Sequence, residues 1–194
     1  MEKLKIPESK ILSQESGDGK EQPEMKEEIE RRWLVDISKL PAPLYTYDNK
    51  RLTAKFYRDE DGKKMRIRKE GNRFFKVSKG KRTNGGMVRS IGESGDIEIT
   101  AEEFEDIWEK TKGDSQSKTR HFIPIGDFVA ELDDYDDFRD AGFYTIEVEF
   151  ENLADCKKFV PPAWFGREVT NEKGYSSRAL AKNGIPESFE RFKK

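Results

Sequence analysis

Acids recur in this chain at i, i+2 spacing: Glu28 and Glu30, Asp96 and Glu98, Glu131 and Asp133, Glu147 and Glu149. Side chains alternate between the two faces of a strand, so each pair shares a face wherever the segment is extended. Bases recur in the same way at Arg32, Arg66 and Arg68, Lys79, Arg89, and Lys118 and Arg120. Grouped carboxylates suit a hard, oxygen-ligated divalent cation, and guanidinium and ammonium groups suit phosphate oxygens. Taken one strand at a time, either set reads as an ordinary solvated face.

The elements that must position these groups are strands. Glu28–Val35 alternates acids and a base against Ile29, Trp33 and Val35, and 63–69, 73–79, 96–99, 129–133 and 145–151 alternate likewise. Asp59-Glu60-Asp61-Gly62 and Glu70-Gly71-Asn72 are hairpin turns. Thr100-Ala101-Glu102-Glu103 is a capping box, followed by Phe104, Ile107 and Trp108 on one helical face. Further short helices are predicted near 153–159 and 175–182, the latter stopped by Gly184 with Pro186 beyond. Pro161-Pro162-Ala163-Trp164 is a rigid connector. Antiparallel strands with one apolar and one charged face fit a sheet or a barrel. In a barrel the apolar faces pack under helices and the charged faces line the lumen, where they are costly unless they pair or bind ions. A polyphosphate with Mg²⁺ or Mn²⁺ meets both demands.

Composition narrows the classes. Lys and Arg number 37 and Asp and Glu 39, so the net charge is only −2 although 39% of residues are charged. That balance argues against a general nucleic-acid or membrane-surface binder. The single Cys156 and single His121 leave no Cys/His metal site and no internal disulfide. The absence of a long apolar run or signal-peptide pattern predicts a soluble cytoplasmic protein, monomer or homodimer. Residues 1–26 read as a disordered tail, 27–186 as one domain, and 187–194 as a C-terminal tail or short helix. His121, Cys156 and Trp164-Phe165 read as structural residues.

Glu28-Ile29-Glu30-Arg31-Arg32-Trp33 resembles the ExExK motif of the CYTH, or triphosphate tunnel metalloenzyme, superfamily. The likeness continues in order through Met65-Arg66-Ile67-Arg68, Lys79-Gly80, Lys118-Thr119-Arg120, Glu131-Leu132-Asp133, Glu147-Val148-Glu149-Phe150 and Trp164–Thr170. It implies an eight-stranded antiparallel β-barrel tunnel with flanking helices, and divalent-metal-dependent hydrolysis of a triphosphate. The resemblance makes Glu28, Glu30, Glu147 and Glu149 metal ligands for Mg²⁺ or Mn²⁺, with Glu131 and Asp133 helping to place the metal or water. Arg66, Arg68, Lys79, Arg89, Lys118 and Arg120 would hold phosphate, with Lys173 at the tunnel end. Glu28, Glu30, Arg32 and Tyr57 would serve catalysis.

Four departures stand out. Near Arg89 the family's alternating acids are interrupted by Ile91-Gly92-Glu93-Ser94-Gly95. Arg32 replaces the family's Lys. Phe56 falls where relatives carry a Tyr proposed as a base, and a shift of one residue would offer Tyr57. Glu172-Lys173-Gly174-Tyr175 lacks an Arg often found before the Tyr. Inorganic triphosphate is the leading substrate, and nucleoside or thiamine triphosphates are possible. The alternatives are ATP cyclisation of the class IV adenylyl cyclase type, or a weakly catalytic polyphosphate- or nucleotide-binding module.

Overall fold

A computed structural model describes residues 26–91 and 95–190. Residues 1–25 of the tail expected over 1–26, residues 92–94 and the last four residues lie outside the described residues. The strands are β1 (Glu27–Val35), β2 (Asn49–Arg58), β3 (Lys64–Glu70), β4 (Arg73–Thr83), β5 (Val88–Ile91), β6 (Ile97–Ile99), β7 (Gly113–Ile125), β8 (Phe128–Tyr135), β9 (Tyr144–Glu149) and β10 (Phe165–Glu168). The helices are α1 (Ala101–Lys110), α2 (Leu153–Lys158) and α3 (Ser177–Asn183).

Eight strands close on themselves in the order β1-β5-β4-β3-β2-β7-β8-β9, with β9 returning to β1, and every pairing is antiparallel. The seam works because β1 is long. Glu27–Ile29 pair with β5, and Glu30–Leu34 pair with β9. Beyond the ring, β10 adds to β1 and β6 adds to β4.

Alternation decides which way each side chain faces. Ile29, Trp33 and Val35 of β1 point outward, with Ile123, Ala130, Leu132, Ile146 and Val148 from β7 to β9. This apolar skin is covered by Cys156 of α2 and by Phe159 and Phe165 around the Pro-rich connector, and Trp33 packs edge-on to Phe165 at 4.9 Å. On another side α1 lays Phe104 over Tyr57 and Ile67. The core therefore lies outside the barrel wall, between strands and helices.

A third cluster sits at one end of the lumen, where Leu34 and Tyr135 at the ends of β1 and β8 meet Phe143, Val169, Tyr175 and Leu180. It closes that end with α3. The helix is capped by the Ser176 hydroxyl, which accepts from the Ala179 amide at 3.3 Å, and it stops at Gly184, whose φ is +74°. It starts two residues later than the sequence pattern predicts, because Lys173–Tyr175 form a separate 3₁₀ turn. The described chain continues past Pro186, and Phe189 packs on Phe143 at 5.0 Å between ring centres. Half of the capping box is present: Thr100 Oγ1 accepts from the Glu103 amide at 3.1 Å, while the Glu103 carboxylate pairs with Lys76 at 3.0 Å rather than reaching back. Among the described residues no helix is long and apolar enough to cross a membrane.

Candidate functional site in the barrel lumen

The lumen holds a cavity of about 180 Å³ lined by Glu28, Glu30, Arg32, Arg66, Arg68, Lys79, Arg89, Lys118, Arg120, Glu147 and Glu149 together with residues of β2 and α3. The ladder registers explain the grouping. Residues directly opposite across two strands share a face, and here Glu30 faces Glu149, Arg32 faces Glu147, Glu131 faces Glu147, and Arg120 faces Asp133. Acids of β1, β8 and β9 thus form one continuous sector.

Two guanidinium groups hold that sector together. Arg120 donates to Asp133 at 2.8 and 2.9 Å, to Glu147 at 3.1 Å, and also to Glu131. Arg32 pairs with Glu147 and lies 3.6 Å from Glu30, and its other nitrogen donates to the Tyr175 carbonyl in the end plug. Lys118 pairs with Asp133, which is fully buried. Burial alone would raise the Asp133 carboxyl, but Arg120 and Lys118 hold it well below the usual carboxylate range. Burial likewise opposes ionisation of Glu30, and Arg82, Arg32 and Arg89 overcome it.

Glu149 differs from its neighbours. It opens onto the lumen and makes no ion pair among the described residues. Its place within the barrel walls, and then the carboxylates of Glu131, Glu30 and Glu28, push its pKa up to about 8.

The other sector is basic and comes from β3, β4 and β5. Arg66 and Arg68 share Asp96, at 3.0 and 2.9 Å, Arg68 also meets Glu70 at 2.8 Å, and Lys79 pairs with Glu28. These pairs leave donors over. The Nε atoms of Arg66, Arg68 and Arg89 are buried and have no hydrogen-bond partner. Burial, then the charge of Arg82, lowers Arg89 to about 10, while burial and Arg66 lower Lys79 to about 8. Buried cations without full partners are destabilised relative to their paired state, and an anion that accepts from them relieves that strain.

Most sequence-predicted site residues thus meet in one cavity, and four do not line it: Glu131 and Asp133 are tied to it only through Arg120, and Tyr57 and Lys173 lie elsewhere. Tyr57 lies on the outer face, packed with Ile67 and Phe104, because neighbouring strand residues point opposite ways and Phe56 takes the lumen position. Lys173 is exposed in its 3₁₀ turn and does not line the cavity. Asp96 and Glu98 also separate: Asp96 reaches the basic sector, while Glu98 is exposed and pairs with Arg73 at 2.9 Å.

Sequence reasoning missed Arg82, which donates to Glu30, and Arg178, which enters the cavity from α3 and donates to the Tyr57 carbonyl at 3.1 Å. An i, i+2 search passes over Arg82, which sits three residues after Lys79. Arg178 carries only a helix-surface signal. His121 and Cys156 are buried outside the lumen.

Among the described residues no three acids converge closely enough to form a ready-made metal cluster. The donor set still fits a hard cation. Glu149 lies among three further carboxylates whose mutual repulsion a divalent ion would relieve, and all the donors are oxygens.

The chain is thus a closed antiparallel barrel with its apolar face outward and a lumen divided into acidic and basic sectors. No family model matches the chain. The inorganic triphosphatase of Nitrosomonas europaea is 35% identical over 125 residues, which are 62% of this chain and 76% of that protein. The crystal structure of an inorganic triphosphatase superposes with a TM-score of 0.55 at 29% identity, covering 79% of this chain and 93% of the other. A Pyrococcus horikoshii protein shares the fold at 17% identity, with a TM-score of 0.51 over 68% of this chain and 84% of its own. The chain belongs to the triphosphate tunnel metalloenzyme, or CYTH, family.

Proposed function

We propose that this chain hydrolyses a triphosphate, inorganic triphosphate foremost, within the barrel lumen and with Mg²⁺ or Mn²⁺. The observation that carries the reading is the set of buried, unpartnered Nε donors on Arg66, Arg68 and Arg89 across the lumen from the acids of β1 and β9. Its family relative, an inorganic triphosphatase, supports the same chemistry.

Glu28, Glu30, Glu147 and Glu149 would hold the metal, with Glu131 and Asp133 behind them. The metal, when bound, supplies charge neutralisation at phosphate oxygens and a more acidic water. Arg66, Arg68, Lys79 and Arg89 bind and orient the phosphate chain, and their charge favours the transition state by stabilising its equatorial oxygens. Arg120 and Lys118 fix the carboxylates of Glu131, Asp133 and Glu147, so that the acidic wall keeps its shape when phosphate enters. The end plug and α3 limit water entry from one side, and Arg178 extends the basic lining there. A cytoplasmic location is part of this reading.

Phosphate release from inorganic triphosphate, ATP and thiamine triphosphate, with Mg²⁺ or Mn²⁺, tests it against a Glu147→Gln control. Turnover lost in the control supports the proposal, and cyclic AMP from ATP would overturn it in favour of a cyclase. One observation favours a second reading. Phe56 puts a phenyl ring in the lumen where the family carries a phenol, so tight binding without turnover would define a polyphosphate-binding module.

A further inference from the structure

We propose that Arg82 and a divalent cation compete for the carboxylate of Glu30, and that a bound polyphosphate releases the competition by taking Arg82 for itself. Metal and polyanion then bind cooperatively. This rests on the reading of Glu30 as a metal ligand.

Arg82 follows Lys79 by three residues, and on a regular strand the two would face opposite ways. Between them the β4–β5 ladder slips, with Lys79 opposite Ile91 but Arg82 opposite Arg89. Such a bulge adds a residue on one strand and re-aims the side chains beyond it. Both cations therefore face the lumen: Lys79 pairs with Glu28 and Arg82 with Glu30.

The position of Arg82 is built rather than incidental. Its second nitrogen donates to the Gly86 carbonyl in the turn after β4. Gly86 has a φ of +86°, and a β-carbon there would lie 2.7 Å from the Thr170 carbonyl oxygen. Only glycine lets the turn sit that close, which fixes the carbonyl that anchors Arg82. The side chain is 21% exposed and reaches from the rim to a carboxylate that is 7% exposed.

Two facts make this contact a competition. The Glu30 oxygen that accepts from Arg82 is also the one facing Arg32, so a cation binding there must displace a guanidinium. Arg82 also stands directly opposite Arg89, a like-charge pair that is unfavourable across a ladder. A polyphosphate offers acceptors to both guanidinium groups, including the unpartnered Nε of Arg89. By linkage, whatever draws Arg82 off Glu30 raises metal affinity, and bound metal raises polyanion affinity by the same factor.

The test uses the full chain. Mn²⁺ binding, with no other ligand, is followed by the electron paramagnetic resonance signal of free Mn²⁺ for wild type, Arg82→Gln and Glu147→Gln. Binding of inorganic triphosphate in EDTA is followed by calorimetry. Arg82→Gln should bind Mn²⁺ about tenfold or more tighter than wild type, and metal-free triphosphate at least about threefold more weakly. A residue with a merely structural role would weaken both. Unchanged or weakened Mn²⁺ binding in Arg82→Gln overturns the competition. Mn²⁺ binding that survives intact in Glu147→Gln overturns the lumen metal site itself, so the two failures are distinct. Arg82→Met, which keeps the stem and removes the charge, replaces the Gln variant if that variant does not fold.

Discussion

Replacing Arg120 with Met should destabilise the protein more than any other single removal of charge in the lumen. Its guanidinium reaches Glu131, Asp133 and Glu147, and Asp133 has no solvent exposure. Removing one partner of a buried ion pair costs about 3–5 kcal/mol. Here Lys118 still meets Asp133 and Arg32 still meets Glu147, so only Glu131 loses its cation outright. The loss should fall near the lower bound, about 3 kcal/mol. With a urea m-value of about 2 kcal/mol/M, the unfolding midpoint at pH 7 should drop by about 1.5 M.

Acid supplies a second arm to this experiment. The folded-state pKa of Asp133 is depressed, so its contribution is fully present above the unfolded value of about 3.9 and is lost as pH falls through the folded value. The variant has forfeited much of that contribution, so the gap between the two proteins should narrow below about pH 4. A midpoint shift under about 0.5 M, or a gap that stays constant down to pH 3, would mean that lumen water solvates these acids well enough without Arg120.

Other consequences are checked in solution. Arg66→Ala and Arg68→Ala should each raise KM for inorganic triphosphate about tenfold or more, an effect of about 1.4 kcal/mol, while Lys173→Ala changes it by less than about twofold. Tyr57→Phe should leave kcat unchanged, since the hydroxyl lies outside the barrel wall; a large loss of kcat with an unchanged melting temperature would put that residue back in the site. Mn²⁺ binding should release about one proton at pH 7, because the Glu149 pKa is raised to about 8 and the ion needs the carboxylate. Affinity should then climb from pH 6 and level off above pH 8, and calorimetry in buffers of different ionisation enthalpy that shows no proton release would refute it.

The barrel was legible because its period-2 pattern is strong in β1, β8 and β9, where Glu28, Arg32, Glu131, Glu147 and Glu149 are each followed by an apolar residue bound for the outer skin, and only Arg31 and Asp134 break the pattern. Strand β2 was far less so: Leu52, Ala54 and Phe56 face the lumen and Lys55 lies between them on the other face, which reverses the usual polarity. Lys55 Nζ donates to the Thr111 carbonyl at the end of α1 at 3.0 Å, a contact no local pattern encodes. Tyr57 misled for the same reason, since a phenol beside a candidate site carries no mark of which face it occupies until the register is fixed. Arg82 was hidden by a bulge, which breaks the very periodicity used to find its neighbours.

Net charge was the most deceptive quantity. A value of −2 arises from 37 bases and 39 acids, and it gives no hint that they are sorted by strand. Acids dominate the lumen faces of β1, β8 and β9, and bases dominate those of β3, β4 and β5. The sorting has a physical consequence that an evenly mixed lumen would not. Alternating charges would neutralise one another and leave nothing to recognise, whereas two opposed sectors leave Nε donors unpartnered on one wall and a repelled carboxylate, Glu149, on the other. The cross-sector pairs Lys79–Glu28 and Arg82–Glu30 satisfy only part of either wall. A cation and a polyanion entering together satisfy both, which is why a nearly neutral chain can carry a strongly charged site.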